Sequence, residues 1–379
     1  MRILYDGHIF RWQKVGGISR YFREIISRLP ADWQPMVLGI ETRNRNFPSH
    51  PRLQVSTLSS IKPRRFTQPL KKQWWKASYV RNANILHPTY YNLTGGLTFA
   101  DVRCPVVITV HDLVKSRFPH LEGDSSDAAA LQREAILHAN HLVCVSKATE
   151  RDLLEFYPQV AGKTSVIYHG SSFPVCHEPQ PESIFETPRF LVVGRRETYK
   201  NFPMLVRSFA KASKSHPRMR LQIAGPPLED EERWQIHFWG IGDRVDLSLF
   251  PDEETLHQLY RNSVALLFPS MHEGFGIPPL EAMACGTLAV TSNAASLPEV
   301  VGDGGIMLDV ADEDAWTECI LQVANGKIPR LDFIARAKQR AAILTWEQSA
   351  VRHSELYQIV AERSSHLRVS SNRDLCLCG

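Results

Sequence analysis

Phe268-Pro-Ser-Met-His-Glu273-Gly-Phe-Gly-Ile-Pro-Pro-Leu-Glu281-Ala-Met-Ala-Cys-Gly286 sets two carboxylates on either side of a Gly-Phe-Gly turn and a Pro-Pro pair. Pro278 and Pro279 suit the first turn of a helix, where missing backbone donors are harmless, so a small-residue helix is expected from there. Its free N–H groups and the positive end of its dipole point back at the glycine loop and attract phosphate oxygens. Glu273 on the loop and Glu281 just inside the helix then accept hydrogen bonds from hydroxyls on both sides of a bound phosphate. A capped surface helix with solvated glutamates would show the same spacing; the glycine and proline context favours the ligand reading.

On both sides of this segment, short apolar strands alternate with longer helical patterns, the signature of parallel sheets built from βα units. Strands are expected at 2–6, 36–40, 106–110, 142–145 and 165–168, then at 190–193, 221–224, 264–268, 289–292 and 306–308. At 379 residues the chain exceeds what one core usually supports, so the expected fold class is α/β, with two Rossmann-like doubly wound domains facing a cleft. Residues 171–189 hold Pro174, Pro179, Pro181 and Pro188 among polar residues, as a linker does. The expected division is 1–172, a linker at 173–188, 189–345, a last helix at 346–363 opened by Thr345 as cap, and a loose tail at 364–379.

The 43% hydrophobic and 22% charged fractions are those of a globular protein. Lys and Arg exceed Asp and Glu by 44 to 40, an excess too small for a dedicated nucleic-acid binder but favourable to an anionic small ligand. The start lacks a signal-peptide core, no apolar run reaches bilayer length, and seven scattered cysteines read as reduced core residues. A cytoplasmic protein is expected. Lys62–Arg81 carries basic residues interleaved with Phe66, Trp74, Trp75 and Tyr79 and no acid. It suits either an anionic membrane surface or a solvated helix with two rings in the core; the first would place the protein peripherally on the inner face of the membrane.

Other loops at strand ends carry candidate chemistry. Gly16-Gly17 follows the first strand and opens a helical pattern; without side chains it lets a ligand approach the backbone, but the G-x-G-x-x-G spacing is absent. His111-Asp112 ends the Val-Val-Ile-Thr-Val strand. Arg195 and Lys200, in Val193-Gly-Arg-Arg-Glu-Thr-Tyr-Lys-Asn201, are placed to bracket a phosphate pair, with Arg196 beside them. Asp312-Glu313-Asp314 and Glu229–Glu232 read as helix starts, and no metal site is expected.

Taken together, these segments resemble the retaining glycosyltransferases of the family-4 type, with their E-x7-E motif and two-domain GT-B architecture. The resemblance runs from Gly16-Gly17 to Trp346. It implies a nucleotide-diphosphate sugar as donor, a glycan or lipid-linked acceptor bound by the first domain, and no cofactor or obligatory metal. By the same resemblance His111, Glu273, Arg195 and Lys200 carry catalysis. The donor is held by Gly16, Gly17, Arg195, Lys200, His272, Gly274, Phe275, Gly276, Ile277 and Glu281, and the last helix crosses back onto the first domain. Segments 111–119 and 296–305 look like mannosyltransferase members, which favours GDP-mannose, with a UDP-sugar or another GDP-sugar as alternatives. Two rivals stand beside it: a sugar-nucleotide-binding protein without turnover, and a nicotinamide-dependent oxidoreductase, which lacks its glycine fingerprint.

Overall fold

In the computed structural model, residues 1–13, 16–38, 46–56, 70, 73–74, 76, 80–94, 97–119, 126–180 and 182–375 are described. Every strand pairing among them is parallel. The first half has β1 (Arg2–Tyr5), β2 (Gln34–Leu38), β3 (Gln54–Ser56), β4 (Ile85–Leu86), β5 (Val107–Val110), β6 (His141–Cys144) and β7 (Thr164–Val166). They form sheets of order β3-β2-β1-β4 and β5-β6-β7, joined by a parallel bridge from Leu86 to Val106. The second half has β8 (Arg189–Val193), β9 (Arg220–Gly225), β10 (Val245–Leu249), β11 (Ala265–Phe268), β12 (Leu288–Ser292) and β13 (Ile306–Leu308), in the order β10-β9-β8-β11-β12-β13. In each half the strand order reverses beside the first strand, which opens a crevice at the carboxyl ends, at β1/β4 and at β8/β11.

Side chains alternate across each strand and bury both faces, as parallel sheets require. Phe190 and Val192 enter one cluster with Leu205, Phe209 and Trp316, while Leu191 enters the other with Leu266, Leu280 and Met283. Leu4 and Tyr5 likewise point to opposite cores. The segment between the halves is packed, not slack: the Gln180 amide donates to the carbonyls of Arg261 and Ser263, and the Cys176 N–H to that of Ala284. Of the Lys62–Arg81 stretch, most lies outside the described residues; within it Lys76 pairs with Asp101 at 3.0 Å and Trp74 is exposed. No helix among the described residues is long and apolar enough to cross a membrane.

The last helix, Trp346–Leu375, starts where the Thr345 hydroxyl caps the Gln348 N–H at 3.2 Å, and it runs past the expected end at 363 through much of the expected loose tail. It buries Trp346, Ala350, Tyr357 and Val360 in the first half, beside Ile3 and Val37. A chain of buried polar groups fixes it there. The His353 Nδ1–H donates to the Ser349 carbonyl at 2.7 Å, so a neutral ring accepts at Nε2 from the Tyr21 hydroxyl, 2.6 Å away. Tyr21 then accepts from Thr109 (2.8 Å), Thr109 from His87 Nε2–H (2.8 Å), and His87 Nδ1 from Tyr357 (2.5 Å), whose oxygen faces the Tyr5 hydroxyl at 3.3 Å. One proton arrangement satisfies every link, and it needs both imidazoles neutral.

Burial, together with neighbouring histidines, pushes His87 and His169 well below the ordinary value and His111 down to about 3. Burial likewise takes His353 down to about 4. Unfolding frees these rings to take up protons below about pH 6.5. Their contribution to stability is therefore complete above that pH and is lost as pH falls from about 6.5 towards about 4. The melting temperature should hold steady above about pH 7 and decline between about pH 6.5 and about pH 5, before most carboxylates titrate. His353→Gln should be less stable at neutral pH and show a shallower decline; a wild-type melting temperature constant to about pH 5 would contradict this.

Candidate active site

The loops leaving β8 and β11 meet at the second crevice. After β8, Gly194 turns with φ 107° and a short helical turn, Thr198–Lys200, ends at Asn201, whose φ is 56°. The Tyr199 carbonyl accepts from the Met271 N–H at 2.8 Å, which ties this loop to the one carrying the first carboxylate. Lys200 Nζ then lies 2.5 Å from Glu273 Oε1 and over the rings of Tyr199 and Phe268 at 5.0 and 5.5 Å. Arg195 is exposed and has no ion pair among the described residues. Arg196 turns away, buried against Glu232 at 2.6 Å and stacked on Phe202, so it holds the loop instead of facing the cleft.

Beyond Glu273 the chain presses against the first half. A Cβ on Gly274 would stand 1.6 Å from the His111 carbonyl oxygen, so only a hydrogen fits there. The Ser296 hydroxyl is within 2.9 Å of the Glu273 carbonyl and 2.8 Å of that of Phe275, and the Thr149 hydroxyl donates to the Gly274 carbonyl at 3.1 Å. Gly276, with φ 102°, opens the Ile277–Ala284 helix with prolines in its first turn, as its sequence implies. Asp112 shares this space: burial first raises its pKa, Glu273 adds to the rise, and His272 and Lys200 oppose it. His111 stands at the carboxyl end of β5 with its ring edge-on to Tyr21 at 5.0 Å.

The structure thus gathers His111, Lys200, Glu273 and Gly274, with Gly17 facing Ile277 at the mouth of the same helix. The side chains of two other expected donor residues have partners in the first half. His272 reaches across to Asp152 of the first half at 3.0 Å, where Arg117 also binds, and Phe275 is buried under the stacked His169 ring. Glu281 is buried, 2% exposed, and both its oxygens are engaged: Oε1 by Arg20 at 2.6 Å and Oε2 by the Tyr260 hydroxyl at 3.1 Å. Burial raises its pKa against the pull of Arg20 and Tyr260. Sequence reading passed over Arg20, although it stands a few residues after Gly16-Gly17 on the helix Gly17–Ser27, one turn before Glu24. Asp312 caps the Glu313–Ala324 helix through the Ala315 N–H, and Glu313 binds Arg207 and Lys211.

Removing one partner of a buried pair strands the other charge. Arg20→Gln should cost about 3–5 kcal/mol in chemical denaturation. Glu281→Gln should cost a similar amount, and the double variant clearly less than the two together. Additive losses would show that the pair is not coupled.

The description Glycosyltransferase Family 4 matches residues 15–171, and Glycosyl transferases group 1 matches residues 178–340. The O-antigen chain mannosyltransferase B of Escherichia coli is 36% identical over 175 residues, 45% of this chain and 45% of that one, so the match spans less than half of that relative's length. Among solved structures, sucrose-phosphate synthase from Thermosynechococcus elongatus shares the fold at TM-score 0.72, with 20% identity over 95% of this chain and 98% of that one. Anabaena HepE, solved in complex with UDP and glucose, does so at TM-score 0.66, with 18% identity over 96% and 100%. The two family matches together cover both parallel-sheet halves and the loops that build the cleft between them, and the chain belongs to the family-4 type of glycosyltransferase, with the GT-B architecture.

Proposed function

We propose that this glycosyltransferase moves a hexosyl group, mannosyl by preference, from a nucleotide-diphosphate sugar to a glycan or lipid-linked acceptor, with retention and without an obligatory metal, in surface polysaccharide or glycolipid assembly. The observation that carries the reading is the convergence of Lys200 and Glu273 with His111 and Asp112 across the seam, beside an exposed Arg195 that has no ion pair among the described residues. The relation to an O-antigen mannosyltransferase supports the sugar and the pathway class.

In this reading Arg195, Lys200 and the N-terminus of the Ile277–Ala284 helix receive the diphosphate, Glu281 the ribose hydroxyls and Glu273 the sugar hydroxyls. The bond from the sugar carbon to the phosphate oxygen lengthens, and negative charge grows on the leaving diphosphate. A cation about 4 Å away at an effective dielectric of about 20 stabilises that charge by roughly 4 kcal/mol, about a thousandfold in rate. The acceptor hydroxyl enters on the face the diphosphate leaves, its oxygen bonds the sugar carbon, and its proton passes to a phosphate oxygen. His111, kept neutral by burial, accepts or donates a hydrogen bond near the reacting carbon without bringing a charge that would compete with the cations for the diphosphate. Closure of the halves about the 173–188 segment excludes water.

Melting-temperature shifts with GDP, UDP, ADP and their sugars test the donor; GDP and GDP-mannose should shift it most. Lys200→Ala should keep the fold and reduce slow donor hydrolysis by about a thousandfold. Absence of hydrolysis in the wild type, with binding intact, would mark a binding protein without turnover. A wild-type rate in Lys200→Ala would remove the charge-stabilisation account.

A further inference from the structure

Glu281, the residue given to the ribose hydroxyls in the donor reading, has a carboxylate that is closed off. A carboxylate can accept about four hydrogen bonds, so its lone pairs are not exhausted; the limit is access. The Tyr260 hydroxyl on Oε2 belongs to a fully buried ring, so that side is sealed by the core. On Oε1 stands Arg20 Nη1 at 2.6 Å, and Arg20, 14% exposed, is the one of these two partners that reaches toward solvent. The same Nη1 donates to the Ser172 oxygen at 3.2 Å, in the segment that joins the halves, and Ser172 also bonds Glu281. A diol approaching Oε1 therefore meets Arg20 first. The arginine is delivered by the Gly17–Ser27 helix of the first half. One turn later on that helix Arg23 crosses in the same direction to Glu253 at 2.9 Å, in a more open pair at the start of the Glu253–Arg261 helix. One helix of the first half is thus tied to the second half twice, once on the buried carboxylate and once at its rim.

We propose that Arg20 is the internal competitor of the donor's ribose for Glu281: the vicinal hydroxyls of a nucleoside diphosphate displace the guanidinium, and donor affinity is lowered by the work of breaking that pair. The inference rests on the donor reading of Glu281 and adds to it a regulation of the same site. Ribose hydroxyls are neutral donors, so on a buried carboxylate they return less than a charge-assisted bond from arginine supplied. The difference is the barrier a ligand without the right diol does not overcome. Displacement also releases the Gly17–Ser27 helix from its buried tie and leaves only the open Arg23–Glu253 pair, so ribose occupancy in the second half is passed to the helix of the first half whose Gly17 faces Ile277.

Titration calorimetry with GDP and with its dideoxyribose analogue separates this role from a merely structural one; the matching UDP pair is used if the protein binds UDP instead. Arg20→Gln should bind the ribonucleotide about tenfold more tightly than wild type, as removal of a competing internal state implies. It should bind the dideoxy analogue with unchanged affinity, because that ligand has no hydroxyls with which to displace Arg20. Arg20→Lys covers the case in which Arg20→Gln does not fold: its ammonium is better hydrated and leaves the carboxylate more readily, so the same selective gain should appear, smaller. Arg23→Gln, which breaks the neighbouring pair of the same helix, should leave both affinities as they are. Weaker or unchanged ribonucleotide binding in the Arg20 variants overturns the competition. So does an equal gain for both nucleotides, which would assign Arg20 to closure of the seam alone. Failure of the donor reading looks different: neither GDP nor UDP would bind the wild type or any variant.

Discussion

At the seam of the molecule the backbone of Gly274 lies against the carbonyl of His111 so closely that a methyl group would sit 1.6 Å from the oxygen. That approach sets the distance between the two halves where it matters. The loop carrying Glu273 is held from its own half by the Ser296 hydroxyl and from the other by the Thr149 hydroxyl. Each such hydrogen bond is worth only about 1 kcal/mol net. Their combined effect is to fix a carboxylate, a lysine and a histidine from three loops in one place, which a catalytic geometry requires more than it requires stability.

Much of the rest of the seam is polar. Arg20 with Glu281, Asp152 with His272, and Glu299 with the N–H groups of Lys147 and Ala148 all join residues of opposite halves. Buried pairs of this kind offset their desolvation only when the geometry is good, so they contribute more to register than to net stability. A polar seam also suits halves that part and re-form, because separation exposes groups that water can solvate instead of apolar surface. Most of the apolar area lies in clusters built on the sheet faces of each half, with Val145 and Tyr168 of the first half joining the second-half cluster around Phe275.

Strand positions were legible in the sequence wherever a buried parallel strand makes a continuous apolar run, as at β5, β8 and β11. Three strands escaped that reading for identifiable reasons. β4 is two residues long, β3 is a mostly exposed edge, and β10 is an edge strand whose Val-Asp-Leu-Ser-Leu alternation leaves Leu247 and Leu249 half exposed. The glycine turn and helix start around Glu273 and Glu281 could be read because the signal is local. Arg20 could not, because what makes it important is a partner 261 positions away. His272 and Phe275 show a different limit: a motif names the residues of a loop but not the face each side chain presents, and here one binds across the seam while the other packs beneath it.

The position of His111 depends in turn on a helix that a site-centred reading would leave out. Its ring rests edge-on against Tyr21, and the Tyr21 hydroxyl is bound at once to Thr109 and to His353 of the last helix. His169 lies between Tyr21 and Phe275, with ring centroids 5.0 Å from each, and Gly170 fits against the backbone of Trp346 where a Cβ would clash at 2.0 Å. The C-terminal helix therefore does not simply cover the first half. By fixing Tyr21 through a single satisfiable order of protons, it sets the surface on which His111 sits, and through Phe275 the loop that presents Glu273. Loosening that helix disturbs the cleft without touching any residue in it, because the groups that position the site are shared with the core that anchors the helix.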